Sequence, residues 1–561
     1  MQTTSTDSPE LNITNIAAHL PRMAQLRPHA QAVVFPQGHD AAGRVAYTHY
    51  TFAQLDAESD RIAAGLQTIG INRGMRTVLM VQPSLDFFAL TFAIFKLGAV
   101  PVLVDPGMGV KNLKVCLAEA EPEAFIGIPK AHIARLLLGW GKETLKILVA
   151  AGPALPGFGH SLKAIRQQGA SSGLAVAATA LEETAAILFT SGSTGVPKGA
   201  VYSHGNFIAQ VEALRRLYNI QPGEIDLPTF PLFALFAPAL GMTAIIPDMD
   251  ATRPASVDPV KIIEAIDNFG VTNMFGSPAL INRVGRYGVE HGVRLPSLRR
   301  VISAGAPVPA AVLERFGQLL SPQAEIFTPY GATESLPVAS IGSREILGQT
   351  RARTDQGGGV CVGRPVDGLR LEIIRISDDP VVSWDDNLRL PEGEIGEIAV
   401  QGPQVTAGYF NRPQSTALAK IGDPHSGGFF HRMGDLGYRD AQGRIWFCGR
   451  KSHRVITAEG TLFTIPCEAV FNTHPSVFRT ALVGLGPAGA QTPVLCVELE
   501  SVAKNLDQTP LRQELLELGD QFEHTRPIRT ILFHPAFPVD IRHNAKIFRE
   551  KLAVWAAGRV K

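Results

Sequence analysis

The sequence has little cysteine. There are five in 561 residues, Cys116, Cys361, Cys448, Cys467 and Cys496, widely spaced and without a Cys-x-x-Cys pair. A disulfide-built scaffold is excluded, zinc-ribbon and thioredoxin-like chemistry are not expected, and a reducing compartment is the simpler setting. Net charge is nearly absent, with 52 Lys and Arg against 51 Asp and Glu. Such a chain has no overall pull on nucleic acid or an anionic membrane, local basic patches aside, and no nucleic-acid partner is expected. A long clean hydrophobic run is missing as well. The most apolar stretch, residues 87–104, is broken by Lys96 and Pro101 and reads as a helix feeding a buried strand, with no membrane span. The opening residues show no basic segment ahead of an apolar run, so no signal peptide is expected, and the location expected is cytoplasmic.

What is present is a composition of 45% hydrophobic and 18% charged residues, which suits a folded enzyme of several units. Strands alternate with amphipathic helices over about 45–183 and again over 184–359. This rhythm predicts an α/β fold with two helix-covered sheet layers. In the first layer, Leu55, Ile62, Leu66 and Ile69 fall on one helical face, and 76–82, 100–105, 123–127 and 146–150 read as strands. In the second, Ser203 is placed to cap a helix. From about 360 to 450, strands and hairpins predict a small β subdomain, with a turn at 440–443. Residues 1–450 then form one large domain. Residues 451–561 form a small mobile α+β domain, with a hinge near 450–452.

The strongest chemical signal is FTSGSTGVPKGA at 189–200. A buried strand ends in Thr190, Ser191, Gly192, Ser193, Thr194 and Gly195, followed by Lys198. Glycines allow the backbone to approach a ligand closely, exposed N–H groups make an anion nest, and the lysine adds a mobile positive charge. A polyphosphate fits. A Walker A loop does not, because Pro197 precedes the lysine and no Gly-Lys-Ser/Thr follows.

This string resembles the phosphate loop of the adenylate-forming enzymes, which include acyl-CoA ligases, luciferases and peptide-synthetase adenylation domains. YGATES at 330–335, HRMGDLG at 431–437, FCGRK at 447–451 and NAKIFRE at 544–550 are similar to further motifs of that family, in the same order. The resemblance implies ATP and Mg²⁺ as cofactors. It implies nucleotide contacts from Gly305, Ala306, Pro307, Tyr330, Gly331, Thr333, Asp435 and Arg450, with Asp435 on the ribose hydroxyls. Glu334 is expected to hold the metal, since a carboxylate beside triphosphate needs an intervening cation. Lys546 is expected to be catalytic at the α-phosphate, with Thr190, Lys198 and Glu334 sharing the chemistry.

Two departures matter. Where many acyl-CoA ligases carry a histidine after Pro-Leu-Phe, this chain has Ala234, then Leu235, Phe236, Ala237 and Pro238. That wall suits a long hydrocarbon, although buried helix packing explains it almost as well. Past the hinge, Glu459 stands where a basic residue often precedes glycine, the wrong charge for CoA. No serine in the last unit has the setting of a carrier arm. FPLFALFAPALG and FPVDIRHNAKIFREKL resemble a narrower branch, the β-lactone synthetases of bacterial long-chain olefin biosynthesis. That branch implies closure of a 2-alkyl-3-hydroxyalkanoic acid through its acyl-adenylate. The long-chain β-hydroxy acid is then the substrate, and the enzymes expected as partners are a hydroxy-acid-forming reductase and a β-lactone decarboxylase. Fatty acyl-CoA or acyl-AMP ligation is the alternative. His204, His431 and His543 are candidates for a base, and each could equally be structural.

Overall fold

Thr51 opens the helix Phe52–Thr68 with a capping box. Its hydroxyl accepts from Gln54 N, and the Gln54 side chain accepts from Thr51 N. Leu55, Ile62 and Leu66 are fully buried on the face the spacing predicts. The computed structural model describes residues 13–153, 155–169, 174–190, 197–539 and 547–560.

Two large sheets carry the fold. One has seven strands in the order His160–Ser161, Ile147–Ala150, Ala124–Gly127, Arg76–Met80, Val100–Val104, Thr184–Thr190 and Lys198–Ser203. Every pairing in it is parallel except the last. The second sheet has fourteen strands. Its parallel centre is Ile225–Pro228, Asn273–Phe275, Arg300–Ile302 and Glu325–Ala332.

The layers do not divide at 184, as the rhythm suggests. Thr184–Thr190 and Lys198–Ser203 complete the first sheet, while Gln31–His39 and Val45–Thr51 form an edge hairpin of the second. Each layer takes strands from both stretches, because neighbouring strands are chosen by packing and not by order in the chain. The stretch 360–450 is likewise continuous with the large sheet: Val360–Pro365 pairs with Ser335–Gly342 on one side and Ile445–Arg450 on the other. After Arg450 every strand lies in a separate sheet, chiefly Val477–Leu485, Thr492–Leu499 and Thr530–Phe533.

The apolar stretch at 87–104 is a helix, Leu85–Lys96, feeding the strand Val100–Val104. Lys96 is 1% exposed and reaches Asp56 at 2.6 Å and Asp60 at 2.5 Å. No helix among the described residues is long and apolar enough to cross a membrane. All five cysteines are free and buried.

Candidate active site

Ser203 caps the helix His204–Tyr218 as expected, its hydroxyl accepting from Asn206 N. On the chain just before it, the strand ending at Thr190 pairs with the strand opening at Lys198, and those two residues face each other. Residues Ser191, Gly192, Ser193, Thr194 and Gly195 lie outside the described residues, and so does Lys546. The other expected site residues come together. Lys198, Gly305, Ala306, Pro307, Tyr330, Gly331, Thr333, Glu334, Asp435 and Arg450 all line one cavity of about 2700 Å³.

The 330–335 turn is held from several sides. The Tyr202 hydroxyl donates to the Thr333 carbonyl. Thr406 donates to the Glu334 carbonyl through its N–H at 2.9 Å and its hydroxyl at 3.2 Å. Tyr409 donates its hydroxyl to Glu334 Oε1 at 2.7 Å, while the Lys198 ammonium sits 5.0 Å from the Tyr409 ring centre. One tyrosine therefore contacts both the carboxylate and the lysine. Burial and Glu334 push the Tyr409 hydroxyl well above its ordinary range, so it remains a donor.

Behind this turn, Lys420 donates to the Thr406 carbonyl. Burial lowers the Lys420 pKa to about 7, with the Glu334 charge opposing. Spacing in the sequence gave no reason to join Thr406, Tyr409 or Lys420 to Glu334. Tyr409 stands in the aromatic-glycine segment TAGYF, the one local hint of a role.

Asp435 and Arg450 are cross-strand partners. Tyr330 donates to Asp435 Oδ2 at 2.7 Å, and Arg450 Nη1 lies 2.9 Å from Oδ1. Asp435 is 3% exposed, and its Oδ1 accepts no well-formed hydrogen bond among the described residues. That oxygen is ion-paired with Arg450 but keeps a lone pair to spare, and such a buried acceptor at a cavity wall fits a ligand hydroxyl. Burial raises the Asp435 pKa, with Arg450 opposing, and Asp435 in turn raises that of Arg450.

The apolar wall forms two short helices, Pro231–Ala234 and Phe236–Leu240. Leu232, Phe233, Leu235 and Phe236 line the cavity, whereas Ala234 is fully buried. The three histidines separate. His204 is buried outside the cavity lining and its Nδ1 accepts from Ile16 N at 3.2 Å. His431 lines the cavity, and burial holds its pKa well below the usual range. His543 lies outside the described residues. Among the described residues no group of three or more His, Cys, Asp or Glu could cage a metal ion.

Comparison with known proteins agrees with this geometry. The chain is 53% identical over 98% of its length to "Olefin beta-lactone synthetase" of Stenotrophomonas maltophilia, covering 99% of that protein. It is 52% identical over 97% of its length to the protein of the same name from Xanthomonas campestris, covering 98% of it. In fold it is similar to an amide bond synthetase of Marinactinospora thermotolerans, with TM-score 0.76 at 22% identity, covering 96% of this chain and 99% of that one. An anthranilate CoA ligase in complex with anthranoyl-AMP gives TM-score 0.76 at 20% identity, covering 99% and 100%. Residues 20–410 match the family described as AMP-binding enzyme. With that match spanning most of the chain, and with the motif residues gathered on one cavity, the protein belongs to the AMP-binding enzyme family.

Proposed function

We propose that this protein is an ATP-dependent, AMP-forming β-lactone synthetase. It activates a long-chain 2-alkyl-3-hydroxyalkanoic acid as the acyl-adenylate. The 3-hydroxyl then attacks the activated carbonyl, giving a β-lactone and AMP after diphosphate has left. The observation that carries this reading is near-full-length identity of 53% to a protein named for that product. The joining of nucleotide-type residues to a largely apolar cavity supports it.

The residues divide the work. Asp435 offers Oδ1, which is ion-paired with Arg450, to the ribose hydroxyls, and the Arg450 charge opposes the rise that burial gives the Asp435 pKa. Tyr330, Gly331 and Thr333, with Gly305, Ala306 and Pro307 opposite, enclose the base and sugar. Gly305 has φ +95°, a conformation that suits glycine where the backbone turns at the wall. Lys198 neutralises phosphate, together with Thr190 and the backbone of 191–195. Lys546 supplies positive charge at the α-phosphate as diphosphate departs. Ile547 and Arg549, which follow it, line the cavity.

Glu334 is the only carboxylate assigned here to Mg²⁺. A lone carboxylate fits a metal that arrives on the triphosphate, since Mg²⁺ is commonly held by one or two carboxylates plus substrate phosphates. The metal would neutralise phosphate charge there.

Attack by the substrate's own hydroxyl is unimolecular, so it needs positioning and no second substrate. Glu459 is exposed beyond the hinge, where phosphate-rich CoA would meet a negative charge. Enzymes that make the hydroxy acid and decarboxylate the lactone are the partners this reading proposes, and a cytoplasmic location is part of the same proposal.

The test gives the purified enzyme ATP, Mg²⁺ and a 2-alkyl-3-hydroxy fatty acid without CoA. A product one water lighter than the acid, formed with stoichiometric AMP, is expected. Product formed only when CoA is added would overturn the reading in favour of acyl-CoA ligation.

A further inference from the structure

The cavity changes character at one level of the large sheet. Three adjacent parallel strands are in register there: Asp226 pairs with Asn273, and Asn273 with Arg300. Two residues further along the same strands and on the same face are Pro228, Phe275 and Ile302. All three of these line the cavity, and so do Asp226 and Asn273. An apolar rung thus stands directly on a polar one.

The polar rung is a closed network. Asn273 Nδ2 donates to Asp226 Oδ1. Arg300 donates to Asn273 Oδ1 at 3.1 Å and to Glu224 at 2.8 Å. All four side chains belong to buried residues. Asp226 is 5% exposed, and that exposure is toward the cavity it lines.

Strand register gives the depth of this rung. Arg300 is in register with Glu325, and Tyr330 lies five residues further along that strand. At about 3.3 Å per residue the polar rung is about 16 Å below Tyr330. On the facing wall, the helix His204–Tyr218 lines the cavity with Gln210, Val211, Leu214 and Tyr218. Gln210 lies 3.5 Å from the Tyr202 hydroxyl that binds Thr333, so it marks the reaction end. Tyr218 is eight residues further along the helix, and its hydroxyl pairs at 3.1 Å with Ser340, the cross-strand partner of Pro329.

We propose that Asp226, braced by Asn273, is the floor of the acyl cavity and sets the length of the alkyl branch the enzyme accepts. The inference rests on the reading of this cavity as the acyl site. A terminal methyl packs against Phe275 and Ile302 with gain. A longer branch must press methylenes onto a buried carboxyl and amide, which gives up hydrophobic transfer and strains a satisfied network. Burial holds the Asp226 pKa up at about 7, consistent with a carboxyl facing hydrocarbon.

The experiment uses full-length enzyme and ATP–diphosphate exchange, which reads adenylation whether or not a lactone follows. The probes are 2-alkyl-3-hydroxy acids lengthened by two methylenes at a time. D226A is expected to raise kcat/KM for the acid two methylenes longer than the wild-type optimum, relative to that optimum, by at least about tenfold. D226N, which keeps the shape and polarity, is expected to leave the ratio within about twofold of wild type. I302F thickens the rung above the floor and is expected to move the optimum to shorter acids. This arm stands even if D226A does not fold. Unchanged length ratios in I302F and in whichever Asp226 variants fold, or equal shifts in D226N and D226A, would overturn the proposal. Failure of the lactone reading would show separately, as exchange without lactone.

Discussion

Tyr330 donates its hydroxyl to Asp435 Oδ2 across 2.7 Å, joining two motifs 105 residues apart in the chain. Burial and the neighbouring Asp435 charge raise the tyrosine's pKa, and burial raises that of the carboxyl. The proton therefore stays on the tyrosine and the bond keeps one direction. Arg450 supplies the opposing positive charge. The three act as a unit that presents one carboxylate oxygen to the cavity.

That arrangement predicts an ordered series of losses. D435A should raise the KM for ATP in the exchange reaction by about 10- to 100-fold, the worth of hydrogen bonds to a charged group at about 1.5–3 kcal/mol. Y330F keeps the ring and removes one donor to Asp435, so its effect should be several-fold smaller. A D435A enzyme with wild-type KM for ATP would show that the Asp435 carboxylate does not meet the nucleotide.

Lys420 gives a pH prediction. In the folded protein its pKa is lowered to about 7 from 10.5. Between those values the unfolded chain binds more protons, so this group's contribution to stability rises with pH. The cost of burying its ammonium is fully present below 7 and gone near 10.5. K420M should therefore melt higher than wild type at pH 6, with the difference shrinking steadily toward pH 10. A constant difference across that range would mean Lys420 does not titrate as its burial requires. Because its charge also bears on Glu334, the wild-type exchange rate is expected to titrate near pH 7 and the variant's is expected not to.

Lys96 gives a stability prediction remote from the site. It is the buried centre of a pair of contacts with Asp56 and Asp60, which keep 20% and 31% exposure. K96M leaves two carboxylates together without their cation. The loss should be about 3 kcal/mol, the lower end for breaking a buried ion pair, since both carboxylates retain some water. Denaturant unfolding measures it, and exchange activity per folded molecule should be unchanged. An equal loss of specific activity would tie Lys96 to function instead.

Local patterns were legible in the sequence where one element decides them. The face of Phe52–Thr68, the cap at Ser203 and the turn at 440–443 all follow from spacing and turn chemistry. Sheet membership was not legible, because the pairing of Val33 with Ala244 depends on packing across two hundred residues. The nucleotide residues could be read because they occur in compact strings. Tyr409, Thr406 and Lys420 could not, since each reaches the site by tertiary contact with Glu334 or its neighbours. Asp226 was hidden for the same reason: only strand register shows that it stands beneath Phe275 and Ile302.

The last prediction concerns Lys546 and the joint of the two domains. The chain leaves the large sheet at Arg450, yet Lys451 still donates to the Ser377 carbonyl at 2.7 Å and pairs with Glu397 at 3.2 Å. Glu397 also holds the buried Arg432. The side chain of Lys451 is thus tied to the large domain, as is that of Arg454 through Asp378 at 2.5 Å, and we place the pivot after them. Lys546 lies beyond that pivot, while Lys198, Tyr330 and Asp435 lie before it. K546A should leave ATP affinity nearly intact and reduce adenylation by roughly 10²–10³, about 3–4 kcal/mol, because its charge is used mainly in the transition state. Ring closure from a synthetic hydroxyacyl-adenylate needs no diphosphate departure, so the same variant should keep a substantial fraction of that rate. Lactone from the adenylate is measured beside the ATP-driven reaction, wild type against variant. Equal losses in the two assays would mean either that Lys546 serves both steps or that closure of the last domain gates the second.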